Sequence, residues 1–432
     1  MKNFVEASTF CHLVTDGTHN SPKKTNDGVL LVTSKNITNG KLDLSKSYYI
    51  SKNDAIEINK RSKVNKFDIL ISMIGTVGEV CFIDHEPNFV VKNVGILKNK
   101  DKFHAKWLYF YLKSQEAQNI IKERLNGTTQ QYLSLGELRK LPILKPISEN
   151  HLINTVEILD NFEKKITLNT QTNQTLEQIA QGIFKHWFID FAPVHAKANA
   201  LARGETIEQA ELAAMACLSG KTAEKITALK TQDPTTYHQL QQTAAAFPSE
   251  FVETEMGKVP RGWEVKPINE ICRVVYGKGL PKNQLRASGY PVYGANGVIG
   301  YYDQYLYENR QVLVGCRGTV GQVYVSQPYS YITSNSLVIE YEKTTINLYF
   351  LELYLKSLDL SIFASGSVQP QITIQNLSKL KILIPNKEIL DSFATLVDPI
   401  YQLTYKNDDE KKTLSESRDF LLPKLLNGEI EL

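Results

Sequence analysis

Cysteine is scarce in this 432-residue chain, and the five present make no framework. Cys11, Cys81, Cys217, Cys272 and Cys316 form no Cys-x-x-Cys pair and no even set, which fits reduced thiols and argues against a thiolate zinc site. No structural metal is expected. The chain also lacks an apolar run long enough to span a bilayer, and its start, Met1-Lys2-Asn3-Phe4-Val5-Glu6, has no signal-peptide hydrophobic region. The expectation is a cytoplasmic protein with no membrane contact. Excess charge is small as well: a net +3 does not by itself indicate a nucleic-acid partner, whose signature is a clustered basic face. That charge is uneven, because residues 1–66 hold eleven Lys/Arg against six Asp/Glu, net +5, and residues 196–260 hold six against eight, net −2. Hydrophobic residues at 42% against 22% charged exclude disorder and fibres and allow two or more domains with real cores.

Enzyme motifs are missing too. Ser219-Gly220-Lys221-Thr222 resembles the end of a phosphate-binding loop, but the earlier glycine would fall at Met215, so no phosphate cradle forms. Neither Asn-Pro-Pro-Tyr nor Asp-Pro-Pro-Phe, the motif with which an amino-methyltransferase holds a flipped base, occurs. Glu163-Lys164-Lys165 is not preceded by Pro-Asp as a nuclease site requires, and reads as a solvated helix face. His85, His104 and His186 share no recurring partner spacing, so no catalytic residue and no metal ligand is assigned.

What the chain does have, it has twice. Asp68–Val80 contains Ser72-Met73-Ile74-Gly75-Thr76-Val77-Gly78, and Arg310–Val323 contains Gly315-Cys316-Arg317-Gly318-Thr319-Val320-Gly321, with Gly75 and Gly318 separated by 243 residues. A second echo, 239 residues apart, runs from Gly127-Thr128-Thr129-Gln130 to Ile143-Leu144-Lys145-Pro146, and from Gly366-Ser367-Val368-Gln369 to Ile382-Leu383-Ile384-Pro385. A period this long marks a duplicated domain rather than a solenoid. The glycine turns lie between two strand-like runs, not between a strand and a helix, so they read as tight turns needing glycine's backbone freedom and not as nucleotide loops.

Short β-like runs fill residues 1–148, with a helix expected over Ala105–Leu125; residues 259–385 repeat the pattern, with a helix over Asn347–Phe363. Apolar residues at steps of three and four over 149–195 (Leu152, Val156, Leu159, Ile166, Leu176, Ala180, Ile183, Trp187) and over 386–432 (Leu390, Phe393, Val397, Ile400, Leu414, Leu421, Leu425) predict two long coiled-coil helices with polar middles at Asn169, Asn173 and Asn407. Pro399 predicts a kink unless Asp398 caps a fresh start. Residues 196–258 read as a helical insertion with turns at Gly204, Gly220 and Asp233-Pro234. The fold class is α+β: two β-rich domains related by internal duplication, joined by two long antiparallel coiled-coil helices.

Candidate binding residues are polar and basic side chains in loops that recur in both copies. In the first they are His19, Lys23, Lys24, Lys35, Asn36 and Gln130; in the second, Lys278, Lys282, Tyr293, Asn296, Arg317 and Gln369. Such a mixture suits phosphate positioning with base-edge contact. Arg317 stands out, since a guanidinium on a rigid turn can pair bidentately with guanine, with a salt bridge as the competing role. Different residues on matching loops are what two readers of different sequence require.

The order of these motifs resembles the specificity (S) subunit of type I restriction-modification systems. The resemblance extends to the Phe184-Lys185-His186-Trp187-Phe188 close of the central helix, the Pro260-Arg261-Gly262-Trp263-Glu264 lead-in of the second copy, and the final Leu421-Leu422-Pro423-Lys424-Leu425-Leu426-Asn427-Gly428. It covers nearly the whole chain. It implies a non-catalytic subunit with two target-recognition domains, each reading half of a bipartite site on double-stranded DNA, and paired spacer helices that fix the gap. It also implies two docked methyltransferase (M) subunits and two restriction (R) subunits, with S-adenosylmethionine, ATP and magnesium held by those partners and no cofactor on this chain. The rival readings are a self-sufficient modification enzyme and a coiled-coil scaffold without DNA reading. The first domain departs from the pattern by lacking the Pro-x-Gly-Trp lead-in, so its N-terminal strand is expected to be abbreviated.

Overall fold

A computed structural model describes residues 3–127, 130–342, 344–366 and 368–430. Thr128, Thr129 and Ser367 of the repeated loop motif lie outside the described residues. The chain divides into two compact units, Met1–Gln171 with Asn407–Leu432, and Thr172–Lys406. Each holds part of both long helices.

In the first unit, Leu13–Asp16, Val94–Lys98, Ile69–Ser72 and Val80–Phe82 form an antiparallel four-stranded sheet in that order. A three-stranded sheet, Tyr48–Ile50, Val29–Val32 and Phe89–Val91, has one antiparallel and one parallel pairing. Phe4–Glu6 pairs with Pro142–Leu144 and closes the unit. The second unit repeats these three sheets. Its four strands are Arg273–Tyr276, Ser336–Glu340, Val312–Gly315 and Val323–Val325, again antiparallel. Its three are Gly297–Tyr302, Tyr290–Gly294 and Tyr331–Ile332, again with one parallel pairing. Its closing pair is Glu264–Pro267 with Lys381–Ile384. The first closing strand has three residues and the second four.

The inner strands are apolar on both faces because both are covered. Ile69–Ser72 and Val312–Gly315 are buried at every position. Against the first sheet pack Trp107, Phe110 and Tyr111 of the helix Lys102–Lys113, and Trp107 donates its indole N–H to the Leu144 carbonyl at 2.7 Å. The helix expected over Ala105–Leu125 is in fact two. Ser114 leaves helical geometry and caps Gln115–Glu123 by accepting from the Ala117 N–H at 3.3 Å, a local bond that outcompetes continuation. Its counterpart stops earlier than expected, as Leu348–Lys356 followed by a 3-10 turn at Leu360–Phe363.

The spacer helices are Glu149–Phe184 and Lys387–Leu426, roughly 54 and 60 Å long at 1.5 Å per residue. They run antiparallel within each unit. In the first, His151 meets the Leu425 carbonyl at 2.8 Å, Glu163 meets Arg418 at 2.8 Å, and the Asn169 amide donates to Glu410 at 2.7 Å. In the second, the Asn173 amide donates to the Thr404 carbonyl at 3.1 Å, and the Phe184 and Phe393 rings lie 6.1 Å apart. Asn169 and Asn173 of the foreseen polar middle therefore each make an interhelical bond, and Asn169 and Asn407 are buried. No break occurs at Pro399: the helix is continuous through it, and Asp398 accepts from the Tyr349 hydroxyl and the Gln402 amide instead of capping. Val397 and Phe393, both fully buried, anchor the helix just before the proline, and this packing outweighs the one lost backbone bond.

The first spacer helix ends in a π turn, Lys185–Ile189, closed by the Asp190 N–H on the Lys185 carbonyl at 2.8 Å. One extra residue in the turn brings the neighbours Trp187 and Phe188 both into the core. Phe188 meets Phe350 and Phe393 at 5.0 Å each, and Trp187 meets Phe247 at 5.4 Å. Beyond it the insertion is four helices, Ala192–Ala202, Ile207–Ser219, Ala223–Gln232 and Pro234–Ala246. The phosphate-loop lookalike is simply a turn between two of them, in which left-handed Gly220 ends one helix and Thr222 caps the next.

Candidate nucleic-acid interface

In each unit the loop after the first sheet strand is bonded to the turn that leads into the second, and the loop after the helix is bonded to the glycine turn, by matching backbone bonds. The loop after the first sheet strand is held by Gly17 N–H to the Val94 carbonyl (2.9 Å) and Thr18 N–H to the Val91 carbonyl (3.1 Å); its counterpart, by Gly277 to Ser336 (3.1 Å) and Lys278 to Ile332 (2.9 Å). Glycine is needed here because of close approach. A Cβ on Gly17 would lie 2.4 Å from the Val91 oxygen, and one on Gly277 would lie 2.3 Å from the Thr333 oxygen. The glycine turns join antiparallel strands, with φ of 77° and 94° at Gly75 and Gly78 and 83° and 84° at Gly318 and Gly321. The loop after the helix is tied to that turn by Leu133 N–H to the Met73 carbonyl at 2.9 Å, and by Ile372 N–H to the Cys316 carbonyl at 3.1 Å. The frame is the same; the side chains on it differ.

In the first unit the frame gathers the early loop around Asn93, a residue with φ of 53° in the turn between Phe89–Val91 and Val94–Lys98. Exposed His19 contacts the Asn93 side-chain oxygen at 2.9 Å and buried Asp16 at 3.0 Å, and Asp16 also accepts from Arg61. Ser34 donates to the Asn93 carbonyl at 3.1 Å, and Lys35 is exposed beside it in sequence. Lys92 donates to Ser21 in the same loop, where Lys23 and Lys24 are exposed. The loops gathered around Asn93 thus carry His19, Lys35 and Lys92, with Lys23 and Lys24 further along the early loop. Gln130 is exposed on the loop after the helix.

Asn36 does not belong to that surface. It is 1% exposed and fully engaged inside, accepting from the Thr33 N–H at 2.7 Å and donating to the Asp43 carbonyl at 2.9 Å and the Ser47 hydroxyl at 3.0 Å. A short polar residue in a loop can serve the loop as readily as a ligand. Tyr293 is a second correction. It is 5% exposed, its ring stacks on Tyr324 at 6.0 Å, and its hydroxyl accepts from the Gln327 N–H at 2.9 Å.

The remaining residues of the second unit are exposed: Lys278, Lys282, Asn296 at the tip between Tyr290–Gly294 and Gly297–Tyr302, Arg317 and Gln369. Arg317 makes no salt bridge among the described residues; its Nε donates to the Gln371 side-chain oxygen at 3.1 Å, and its guanidinium lies 6.0 Å from the Tyr276 ring centre. The exposed Asn335 takes the place of Asn93 and accepts from the Cys316 and Arg317 N–H groups at 2.9 and 3.3 Å. Cys316 itself is buried, and burial raises its thiol pKa, so it is not a reactive group. Lys92, Asn93 and Asn335 are surface residues absent from the candidate set read from the sequence. Their common signal was position in a turn that only strand pairing reveals.

Other charged groups are structural. Lys98 and Asp68 form a buried pair at 2.6 Å, in which burial raises the Asp68 carboxyl against the pull of Lys98. Glu163-Lys164-Lys165 is neither a nuclease tail nor a merely solvated face. Glu163 bonds Lys113 and Arg418, Lys164 bonds Asp160, and Lys165 bonds Glu410. Among the described residues no three His, Cys, Asp or Glu side chains are grouped as metal ligands, and no helix is long and apolar enough to cross a membrane.

Two copies of one loop frame, each presenting different donors, define a tandem recognition protein. The chain belongs to the type I restriction modification DNA specificity domain family, whose profile matches residues 3–178 and 260–412. It is 35% identical over 413 residues to the HindI type I restriction enzyme specificity subunit of Haemophilus influenzae, covering 86% of this chain and 88% of that one. It is 24% identical over 358 residues to the MjaIX specificity subunit of Methanocaldococcus jannaschii, covering 77% and 71%. In fold it is similar to the crystallised S subunit of a type I restriction-modification system from M. genitalium, with a TM-score of 0.55 at 16% identity over 98% of this chain and 96% of that one. The chain is thus a non-catalytic specificity subunit, and the self-sufficient enzyme and the scaffold without DNA reading are set aside.

Proposed function

We propose that each recognition unit reads one half of a bipartite site on double-stranded DNA through its stitched loop edge, and that the paired helices set the gap. The observation that carries this is the recurrence of one backbone frame, its members 239 to 260 residues apart in sequence, bearing His19, Lys35, Lys92 and Asn93 in one copy and Lys278, Asn296, Asn335 and Arg317 in the other. Basic side chains and short donors on rigid loops supply both phosphate anchoring and base-edge contact. Lys23, Lys24, Lys282, Gln130 and Gln369 are assigned to phosphate and flanking contact. The helices dock two methyltransferase subunits, and two restriction subunits join through them. S-adenosylmethionine, ATP and magnesium act on those partners, and the complex works in the cytoplasm. Replacing residues 1–148 by the same domain of a relative should change one half of the methylated motif and preserve the other. A change in both halves would end the modular reading.

A further inference from the structure

The two frames coincide at one pair of positions where the side chains are opposite in chemistry. Ile74 and Tyr132 bridge antiparallel in the first unit, and Arg317 and Gln371 bridge antiparallel in the second, at the same 243- and 239-residue separations as the motifs around them. In each case the residue before the first member accepts a backbone bond from the residue after the second, Met73 from Leu133 and Cys316 from Ile372. The two pairs therefore occupy one place on one scaffold. Yet one presents a cation and an amide, and the other an aliphatic group and a phenol.

We infer that these positions set which base each half-site carries: Arg317 with Gln371 reads a guanine, and Ile74 with Tyr132 reads the methyl face of a thymine. The inference rests on the DNA-reading function proposed above. Arg317 is exposed on a rigid turn, with Nε engaged by Gln371 at 3.1 Å and the Tyr276 ring behind it. Among the described residues neither terminal nitrogen has a hydrogen-bond partner, so the guanidinium presents an oriented pair of donors, the match for guanine O6 and N7. Because the Gln371 oxygen is occupied by Arg317, its amide nitrogen, without a hydrogen-bond partner among the described residues, is left as a further donor. At the first frame neither position carries a cation, so that bidentate readout is unavailable. Tyr132 is fixed by paired backbone bonds with Asn126, both 2.9 Å, and is 45% exposed beside half-buried Ile74. The thymine C5-methyl is the major-groove feature that such an apolar surface can read.

The test uses the full chain copurified with its methyltransferase partner. It is first incubated with a duplex library randomised through both half-sites, and the retained DNA is sequenced. The wild type should retain a bipartite consensus with a guanine at one position of one half and a thymine at one position of the other. Arg317→Lys, which keeps the charge and loses the fork, should lower the guanine preference roughly 5- to 150-fold at that position only. Ile74→Arg with Tyr132→Gln should replace thymine by guanine in the other half. Base analogues then probe the unaltered protein: 7-deazaguanine should weaken retention only at the first of these positions, and deoxyuridine, which lacks the methyl, only at the second. Normal retention of both analogues, or Lys and exchange variants that melt normally and keep the wild-type consensus, would overturn the inference while leaving DNA reading intact. A wild type that retains no consensus would overturn the DNA-reading function and the inference together.

Discussion

Glu163 joins three helices of the first unit through charge, and neutralising it should loosen all three. Its carboxylate meets Lys113 of Lys102–Lys113 at 3.0 Å and Arg418 of the second spacer helix at 2.8 Å, while it sits on the first spacer helix. The side chains are 22%, 24% and 18% exposed for Glu163, Lys113 and Arg418, so the cluster is mostly desolvated without being sealed. Breaking a fully buried pair costs about 3–5 kcal/mol and an exposed one less than about 1, which puts Glu163→Gln at about 2–3 kcal/mol. For a unit of this size that is a fall of about 5–10 °C in Tm. Burial alone would raise the Glu163 carboxyl, but Lys113 and Arg418 together hold it below the usual range. A depressed folded pKa stabilises above the unfolded value, near 4.3, and that contribution is lost as pH falls through the folded value. Urea unfolding of both proteins should therefore show the full difference at pH 7 and a shrinking one from about pH 5 to about pH 3. A difference under about 0.5 kcal/mol at pH 7, typical of exposed pairs, or one that persists undiminished in acid, would refute the reasoning.

Three further outcomes are expected. Gly277→Ala places a methyl 2.3 Å from the Thr333 oxygen, a backbone atom that cannot swing away, and should cost about 3 kcal/mol; limited proteolysis should open residues 259–385 and leave 1–148 resistant. Lys197, buried in the insertion, donates to the carbonyls of Ala244 (3.1 Å), Ala245 (3.4 Å) and Phe247 (2.6 Å), so Lys197→Met should cost about 2–4 kcal/mol. Hydrogen exchange should then accelerate in Pro234–Ala246, and unchanged protection there would show that the lysine is not its cap. Removing four residues from 169–174, with four facing residues from 404–410, shortens each helix by about 6 Å and should narrow the gap of the methylated motif while both halves persist; an unchanged gap in an active complex would exclude the helices as its ruler.

Much of the fold was legible because its signals are local and occur twice. The glycine turns, the short apolar runs beside them and the apolar spacing of the long helices each follow from short-range chemistry, and the duplication gave most motifs an internal control. Ser114 and Pro399 show where that fails, in opposite directions. At Ser114 a single side-chain bond ends a helix that the apolar stripe would continue, and at Pro399 burial of Phe393 and Val397 carries a helix past a residue that should break it. The site was only partly legible, since exposure is a tertiary property. Asn36 and Tyr293 have the composition of recognition residues but are consumed by their own loops, whereas Asn93 and Asn335 became visible only once strand pairing placed them on the edge.

Long-read methylation mapping of cells expressing this chain with its methyltransferase partner tests the central claim most directly. Two unequal recognition frames on one chain predict a single methylated motif of two different specific halves separated by a gap of fixed length. A continuous motif, or two identical inverted halves, would contradict it.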